Sequence, residues 1–385
     1  MSNFSCPVVQ VSGVENHPNA DRLSIIQLKN LGYTAISAKL EDGSHRYSAG
    51  DFVTYIPMSA VLPEFLLREM GFWDETANIG KLAGKQGNRV KPLKLRGIYS
   101  EGVLRPVINS DGSLYINNSV GDRVQVFEGE DTSQYLDIVK YEPPVPTHLA
   151  GEMANIGDVC VRYDFERMES VPDMFDASDM IVATEKLHGT MCSLVYIPNL
   201  NHPEMFGRTG NIIVHSKGLG AKGLAFKNNE ANASNLYVRI LKDLLTNHNL
   251  ENVFEQISGG TKTVAVLGEI FGKGVQDLDY GTVSPQFRVF EMIVDRDFLD
   301  LNEIEQLLPK SILRVPVLYS GLFNMDNLIK ARDGKTTVGG NNIREGIVVK
   351  ASDTGNRHSM HGRKIAKMIS PAYLLRKNDD ATEYT

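Results

Sequence analysis

Short runs of apolar and β-branched residues, broken by turn signals, dominate the first part of the chain: PVVQVSGV, LSIIQL, YTAISAKL, DFVTYIP and LKLRGIYSEGVLRPV. Runs of this length with polar positions interleaved read as strands that bury one face, and several in close succession read as a small closed barrel. Further along, MIVATEKLHGT, VAVLGEIFG, FRVFEMIVD and REGIVVK repeat the strand signal at wider spacing. Between them Leu236, Ile240, Leu241 and Leu244 share one face of a helical period, with Ser234 as the expected N-cap. The pattern predicts an α+β fold, a β-barrel followed by a domain of antiparallel sheets and helices.

Pro143, Pro144 and Pro146 block both helix propagation and central-strand pairing. They place a linker over 141–150, between a domain of 1–140 and one of 151–385, and 385 residues are enough for two cores. The polar segment 377–385 reads as a frayed tail. No apolar run reaches the ~18 residues of a membrane span, and the N-terminus lacks a secretory pattern, so the expectation is a cytoplasmic protein without a membrane partner. Cys6, Cys160 and Cys192 fit neither a disulfide framework nor a zinc site and are expected to be reduced thiols.

A net charge of −7 argues against indiscriminate coating of nucleic acid, so the local distribution of charge carries more weight. Between Glu75 and Glu101 the chain places Lys81, Lys85, Arg89, Lys91, Lys94 and Arg96 with no acidic residue. Lys85, Arg89, Lys91, Lys94 and Arg96 are therefore candidates for phosphate contacts; a solvated loop would give the same run.

The candidate chemistry begins at Lys186, which ends an apolar run and precedes Leu187-His188-Gly189-Thr190. A lysine attacks only as the neutral amine, so such a nucleophile needs burial or a neighbouring cation to lower its pKa. Gly189 allows a backbone to approach a ligand closely. On its own K-x-H-G is a weak signal.

An ordered series of segments strengthens it: Leu267-Gly268-Glu269-Ile270-Phe271-Gly272-Lys273-Gly274-Val275-Gln276, Phe287-Arg288-Val289-Phe290-Glu291, Arg344-Glu345-Gly346-Ile347-Val348-Val349-Lys350 and Arg363-Lys364-Ile365-Ala366-Lys367. In order and spacing these resemble the motifs of covalent nucleotidyltransferases, the polynucleotide ligases and mRNA capping enzymes. The E-K-x-H-G-T form and the run ending in Asp279-Tyr280 look most like ATP-dependent RNA ligases. His17-Pro18-Asn19-Ala20-Asp21-Arg22-Leu23 and Leu95-Arg96-Gly97-Ile98-Tyr99-Ser100-Glu101-Gly102 resemble stretches of OB-fold tRNA-binding domains, so the chain is similar to the RNA ligase branch that carries its OB domain first. The resemblance implies an OB-like barrel followed by an ATP-grasp-like ligase adenylylation domain.

It further implies a lysyl-AMP intermediate on Lys186, ATP and Mg2+ or Mn2+ as cofactors, and an RNA or an RNA-containing nicked duplex as substrate. No obligate protein partner is implied. His188 would act on the reacting phosphate or its metal, and Lys350 and Lys367 on the phosphates. Glu185, Gly189, Lys217, Glu269 and Phe290 would bind the nucleotide, with Phe290 stacked on adenine. Glu269, Glu291 and Glu345 would position the metal.

The chain departs from the pattern at His188, where aspartate is commonest, at Met191, and at Ile369, where many ligases have a second lysine that Arg363 or Lys364 would replace. A capping-type guanylyltransferase, or a catalytically silent RNA-binding module, is the competing reading. A barrel at the N-terminus disfavours the first, and intact Lys186, Glu269, Glu345 and Lys367 disfavour the second.

Overall fold

The computed structural model describes residues 4–142 and 149–376. The proline cluster of the expected linker, within 143–148, and the polar tail 377–385 lie outside the described residues.

The five N-terminal runs form one antiparallel sheet in the spatial order Val103–Pro106, Phe52–Ile56, Val8–Asn16, Leu23–Leu28, Thr34–Ala38. Its two outer strands are drawn together where the Glu101 amide donates to the Thr34 carbonyl at 2.9 Å and the Ile36 amide to the Ser100 hydroxyl at 2.9 Å. The sheet thus nearly closes into a barrel, which removes exposed edges. A bulge between Val11 and Gly13 supplies part of the bend. Val9, Val11, Ile26, Val53 and Tyr55 fill one face, while Val8 and Ile56 point the other way onto the helix Glu64–Glu69.

The second part is built on two antiparallel sheets. One has the order Val317–Leu322, Met180–Lys186, Gly346–Ala351, Ile365–Ile369; the other Ile212–Ser216, Gly189–Tyr196, Val264–Phe271, Gln286–Val294, Asp297–Phe298. Helices Leu236–Asn247 and Leu250–Ser258 cover the outside of the second through Leu241, Leu244 and Phe254, and helix Met325–Arg332 covers the outside of the first through Leu328. Ser234 is not the N-cap. Asn235 takes that place because its Oδ1 reaches the amides of Tyr237 and Val238, at 3.0 and 3.2 Å, while its Nδ2 donates to the Ala150 carbonyl.

Strand parity decides what faces the space between the sheets. Ile181, Ala183, Ile347, Val349, Ala366 and Met368 form the outer core of the first sheet. The alternate positions Thr184, Lys186, Val348, Lys350 and Lys367 line the inner cleft. The register Val182↔Lys350, Thr184↔Val348↔Lys367 and Lys186↔Gly346 sets the three lysines beside one another on that face.

Candidate functional site

Lys186 is the last residue of its strand, and Leu187-His188 turns the chain directly into Gly189–Tyr196 of the other sheet. The nucleophile candidate therefore sits at the hinge of the two sheets. Gly189 is required here: a Cβ would lie 2.0 Å from the Ile270 carbonyl oxygen of the adjacent strand. Three side chains from 276–280 fasten this turn. Gln276 donates to the Gly189 carbonyl, the Tyr280 hydroxyl accepts from the His188 amide at 2.7 Å, and Asp277 binds the His188 ring.

The inner faces enclose a solvent-open cleft at the junction of the two sheets. Lys186, His188, Lys350 and Lys367 line it, as do Glu185, Gly189, Lys217, Glu269, Phe290 and Glu345. The Lys186 ammonium lies 2.5 Å from Glu345 Oε1, and Lys217 lies 2.9 Å from Asp164. Glu269 enters from the second sheet, paired with Met191 in register. Glu269 and Glu345 thus offer oxygen donors beside the nucleophile, the chemistry that Mg2+ or Mn2+ prefers.

Glu291 is different. It is fully buried and does not line the cleft; its Oε2 accepts from Tyr163 at 2.8 Å, Lys350 at 3.0 Å and Arg363 at 2.8 Å. Burial alone would raise its pKa, but Lys350 and then Arg363 outweigh that and hold the carboxyl below its ordinary range. Lys350 also donates to the Phe290 carbonyl at 2.6 Å, and burial lowers its pKa despite the adjacent acid. Through Oε2 these contacts make Glu291 an anchor of Lys350, while its buried Oε1 has no hydrogen-bond partner among the described residues.

A bulge brings Phe290 and Glu291 to the same side. Leu267 pairs with Glu291 and Gly268 with Val289, so Phe290 is the extra residue and two neighbours share a face. Phe290 stacks on Tyr163 with centroids 5.5 Å apart and lines the cleft. The two proposed replacements for a lysine at Ile369 are committed elsewhere: Arg363 to Glu291, and Lys364 to Asp179 at 2.7 Å and Asp176 at 3.2 Å.

His188 does not present a free ring nitrogen. Nε2 lies 2.5 Å from Asp277 Oδ1 and Nδ1 2.7 Å from the Tyr373 hydroxyl. Burial lowers its pKa, partly opposed by Asp277, so the ring is neutral at pH 7. Asp277 is pulled below the usual carboxylate range: burial opposes this, but hydrogen bonds from His188 and Arg376 prevail.

A larger groove runs between the barrel and the two-sheet part and meets the cleft at Lys367, which lines both. Arg89, Lys91 and Lys94 of the basic run line it, with Lys140 and Arg376. Lys85 and Arg96 do not line the groove and are exposed. Arg89 is buried, its guanidinium 4.2 Å over the Tyr141 ring. The two N-terminal stretches 17–23 and 95–102 bind each other: His17 Nε2 lies 3.0 Å from the Leu95 carbonyl, and Asn19 donates to the Arg96 carbonyl at 3.0 Å.

At the groove floor Arg167 pairs with buried Glu101, and the Tyr33 hydroxyl meets Ser170 at 2.7 Å, tying the barrel to the second part.

Sequence patterns did not single out Tyr163, Asp277, Tyr373 or Arg167. Asp277 directly follows the run that ends at Gln276, but nothing in the sequence separates it from Asp279, whose Oδ1 accepts from the Gly281 amide at 2.9 Å. Among the described residues one further cluster, Asp173, His358 and His361, could approach a metal. His358 Nδ1, however, accepts from the amides of Met360 and His361, which leaves Nε2 protonated toward Asp173. No helix of the described residues is long and apolar enough to cross a membrane.

Residues 179–369 match the RNA ligase family model. No curated protein matches. Several solved structures of a Naegleria gruberi RNA ligase are similar in fold. A mutant with AMP and Mn has 20% identity and a TM-score of 0.72, covering 98% of this chain and 100% of its own. A mutant with ATP and Mn has 19% identity and a TM-score of 0.71 with the same coverage. The form with PPi has 20% identity and a TM-score of 0.69 over 97% of this chain and 98% of its own.

Proposed function

Through residues 179–369 the chain belongs to the RNA ligase family, and from that premise we propose that it is an ATP-dependent ligase working through a lysyl-AMP intermediate on Lys186. Its substrate on this reading is RNA, with 3'-hydroxyl and 5'-phosphate ends apposed at a nick in a duplex. The observation that carries the proposal is the convergence of Lys186, Lys350 and Lys367 on one cleft, with Glu345 held 2.5 Å from the Lys186 amine.

The reaction divides into three displacements at phosphorus. The Lys186 amine attacks the α-phosphate of ATP, forming the N–P bond as the bond to pyrophosphate breaks and the amine proton leaves. A 5'-phosphate oxygen then takes the AMP and restores the lysine. Last, the 3'-hydroxyl attacks that 5'-phosphate, loses its proton and releases AMP. Alignment and charge do most of the work in such transfers. Glu345 keeps the amine aimed at the cleft, while Lys350 and Lys367 place positive charge on the same wall. Glu269 and Glu345 are the residues that would hold Mg2+ or Mn2+, which supplies charge neutralisation at the phosphates. Structures of the Naegleria relative with ATP and Mn, and with AMP and Mn, accord with this cofactor set.

The choice of adenine over guanine is assigned to Glu185. Its Oε2 accepts from the Thr337 amide at 2.9 Å and hydroxyl at 2.5 Å, whereas its buried Oε1 has no hydrogen-bond partner among the described residues and the residue borders the cleft. An acceptor there suits the exocyclic amine of adenine and repels the carbonyl of guanine. The barrel, 1–140, is assigned to substrate binding, 141–150 to the linker and 151–385 to adenylylation. Incubation with labelled ATP or GTP, a denaturing gel and a nicked RNA duplex tests the whole reading. An adduct labelled by ATP alone, whose label passes to the 5' end and leaves as free AMP while the nick is sealed, is expected; equal labelling by GTP, or no adduct, would overturn it.

A further inference from the structure

Resting on that reading, we propose that Asp277 and Tyr373 are positioning residues for nucleotidyl transfer, acting through the imidazole of His188. An ionised carboxylate only accepts hydrogen bonds, so the 2.5 Å contact to Asp277 puts the single proton of the neutral ring on Nε2. Nδ1 is then the acceptor for the Tyr373 hydroxyl at 2.7 Å. Both ring nitrogens are committed to protein, and the backbone amide of the same residue is held by Tyr280 at 2.7 Å. His188 is thereby fixed in tautomer, ring plane and backbone position, two residues from the nucleophile.

The holders are themselves held. Arg376 contacts Asp277 Oδ2 at 3.1 Å and packs with its guanidinium carbon 3.6 Å from the centre of the Tyr373 ring. Tyr373 belongs to the short helix Pro371–Leu374, which follows directly on the strand carrying Lys367. The groups facing the imidazole are thus Asp277 and Tyr280 from the loop, Tyr373 and Arg376 from the C-terminal segment and Lys186 from the adjoining strand. Two elements more than 90 residues apart in sequence meet on one ring. Their effect on chemistry passes through that ring, because neither Asp277 nor Tyr373 lines the nucleotide cleft while His188 does.

The test is single-turnover formation of the labelled adduct across a range of ATP concentrations, for the full chain and for Asp277→Asn, His188→Ala and the double variant. Asp277→Asn is expected to lower the limiting rate by about 10-fold or more, as loss of a supporting shell commonly does, while the half-saturating ATP concentration moves less than about threefold. In the His188→Ala background the same change should have no further effect, since residues acting through one another are not additive.

Equal losses in both backgrounds, or a full rate in Asp277→Asn, would overturn the proposal. Tyr373→Phe removes one hydroxyl and keeps the ring; it should slow the reaction at unchanged melting temperature, and a full rate there would also count against it, even should Asp277→Asn fail to fold. A wild-type chain that forms no adduct sinks the ligase reading, whereas a labelled wild type beside variants at full rate sinks only this inference.

Discussion

Glu291→Gln separates a structural from a metal-binding role for a carboxylate that does not line the cleft. The substitution keeps the shape and removes one charge. In the native chain a single Oε2 neutralises both Lys350 and Arg363 and accepts from Tyr163, in a side chain with 0% exposure. Removing one member of a buried pair costs about 3–5 kcal/mol because the partner charge stays uncompensated, and here two partners are left. The cost has a ceiling: Lys350 can give up its proton, which from an ordinary pKa near 10.4 takes about 5 kcal/mol at pH 7 and less where burial has already lowered it.

A loss of about 4 kcal/mol follows, read by urea denaturation at pH 7. The sign of its pH dependence is fixed by Lys350. With a folded-state pKa below the unfolded one, the native variant binds fewer protons than the unfolded chain. Its stability therefore rises between that lowered pKa and the ordinary lysine value, and the defect shrinks from pH 7 to pH 9. The metal concentration giving half-maximal adduct formation should stay unchanged under conditions where the variant is folded. A stability loss below about 1 kcal/mol together with a shifted metal requirement would refute the anchoring argument and return Glu291 to the metal.

Lys186→Ala should abolish the protein–AMP adduct on a denaturing gel yet leave measurable closure of a nick already carrying a 5'-adenylate, since that displacement needs no lysine nucleophile; retained label would reject Lys186. Neutralising Lys91, Lys94 and Arg96 together should flatten the dependence of RNA affinity on log salt by roughly 0.7 for each phosphate no longer neutralised, with Arg96 contributing least because it does not line the groove; an unchanged slope would move the binding face elsewhere. Glu101→Gln should lower the melting temperature with a loss of about 3 kcal/mol, because the partly exposed Glu169 at 3.3 Å is then the one carboxylate left to Arg167 among the described residues; an unchanged melting curve would show that the barrel docks without this pair.

Much of the fold was legible because its strands follow a strict two-residue period. Lys367 could be read as inward-facing because it alternates with its neighbours and shares a face with Ile365 and Ile369, and the structure places it on the cleft wall beside Lys350. What was not legible depends on departures from period or on distant contacts. Helix Leu301–Leu307 carries a capping box, Asp300 with Glu303, whose signature stands openly in the sequence, yet its single turn-spanning apolar face is too short to announce a helix. The cap at Asn235 instead of Ser234 is decided by a tertiary acceptor, the Ala150 carbonyl, which no local pattern contains.

The same distinction explains why motif positions and roles diverge at two residues. Ordinary alternation puts Phe290 and Glu291 on opposite faces, and only the bulge against Leu267–Gly268 turns both toward Tyr163 and Lys350. A carboxylate brought in that way arrives below the cleft floor, where its Oε2 meets Lys350 and Arg363, an anchoring role that the motif alone does not announce. His188 is the converse case. Its place beside the nucleophile is fixed by two residues of chain, but what its nitrogens can do is fixed by Asp277 and Tyr373, 89 and 185 residues away. Spacing in a motif reports which backbone positions reach the site. The remaining hydrogen-bond capacity of each side chain, after distant partners have taken theirs, determines which of those residues can touch the substrate.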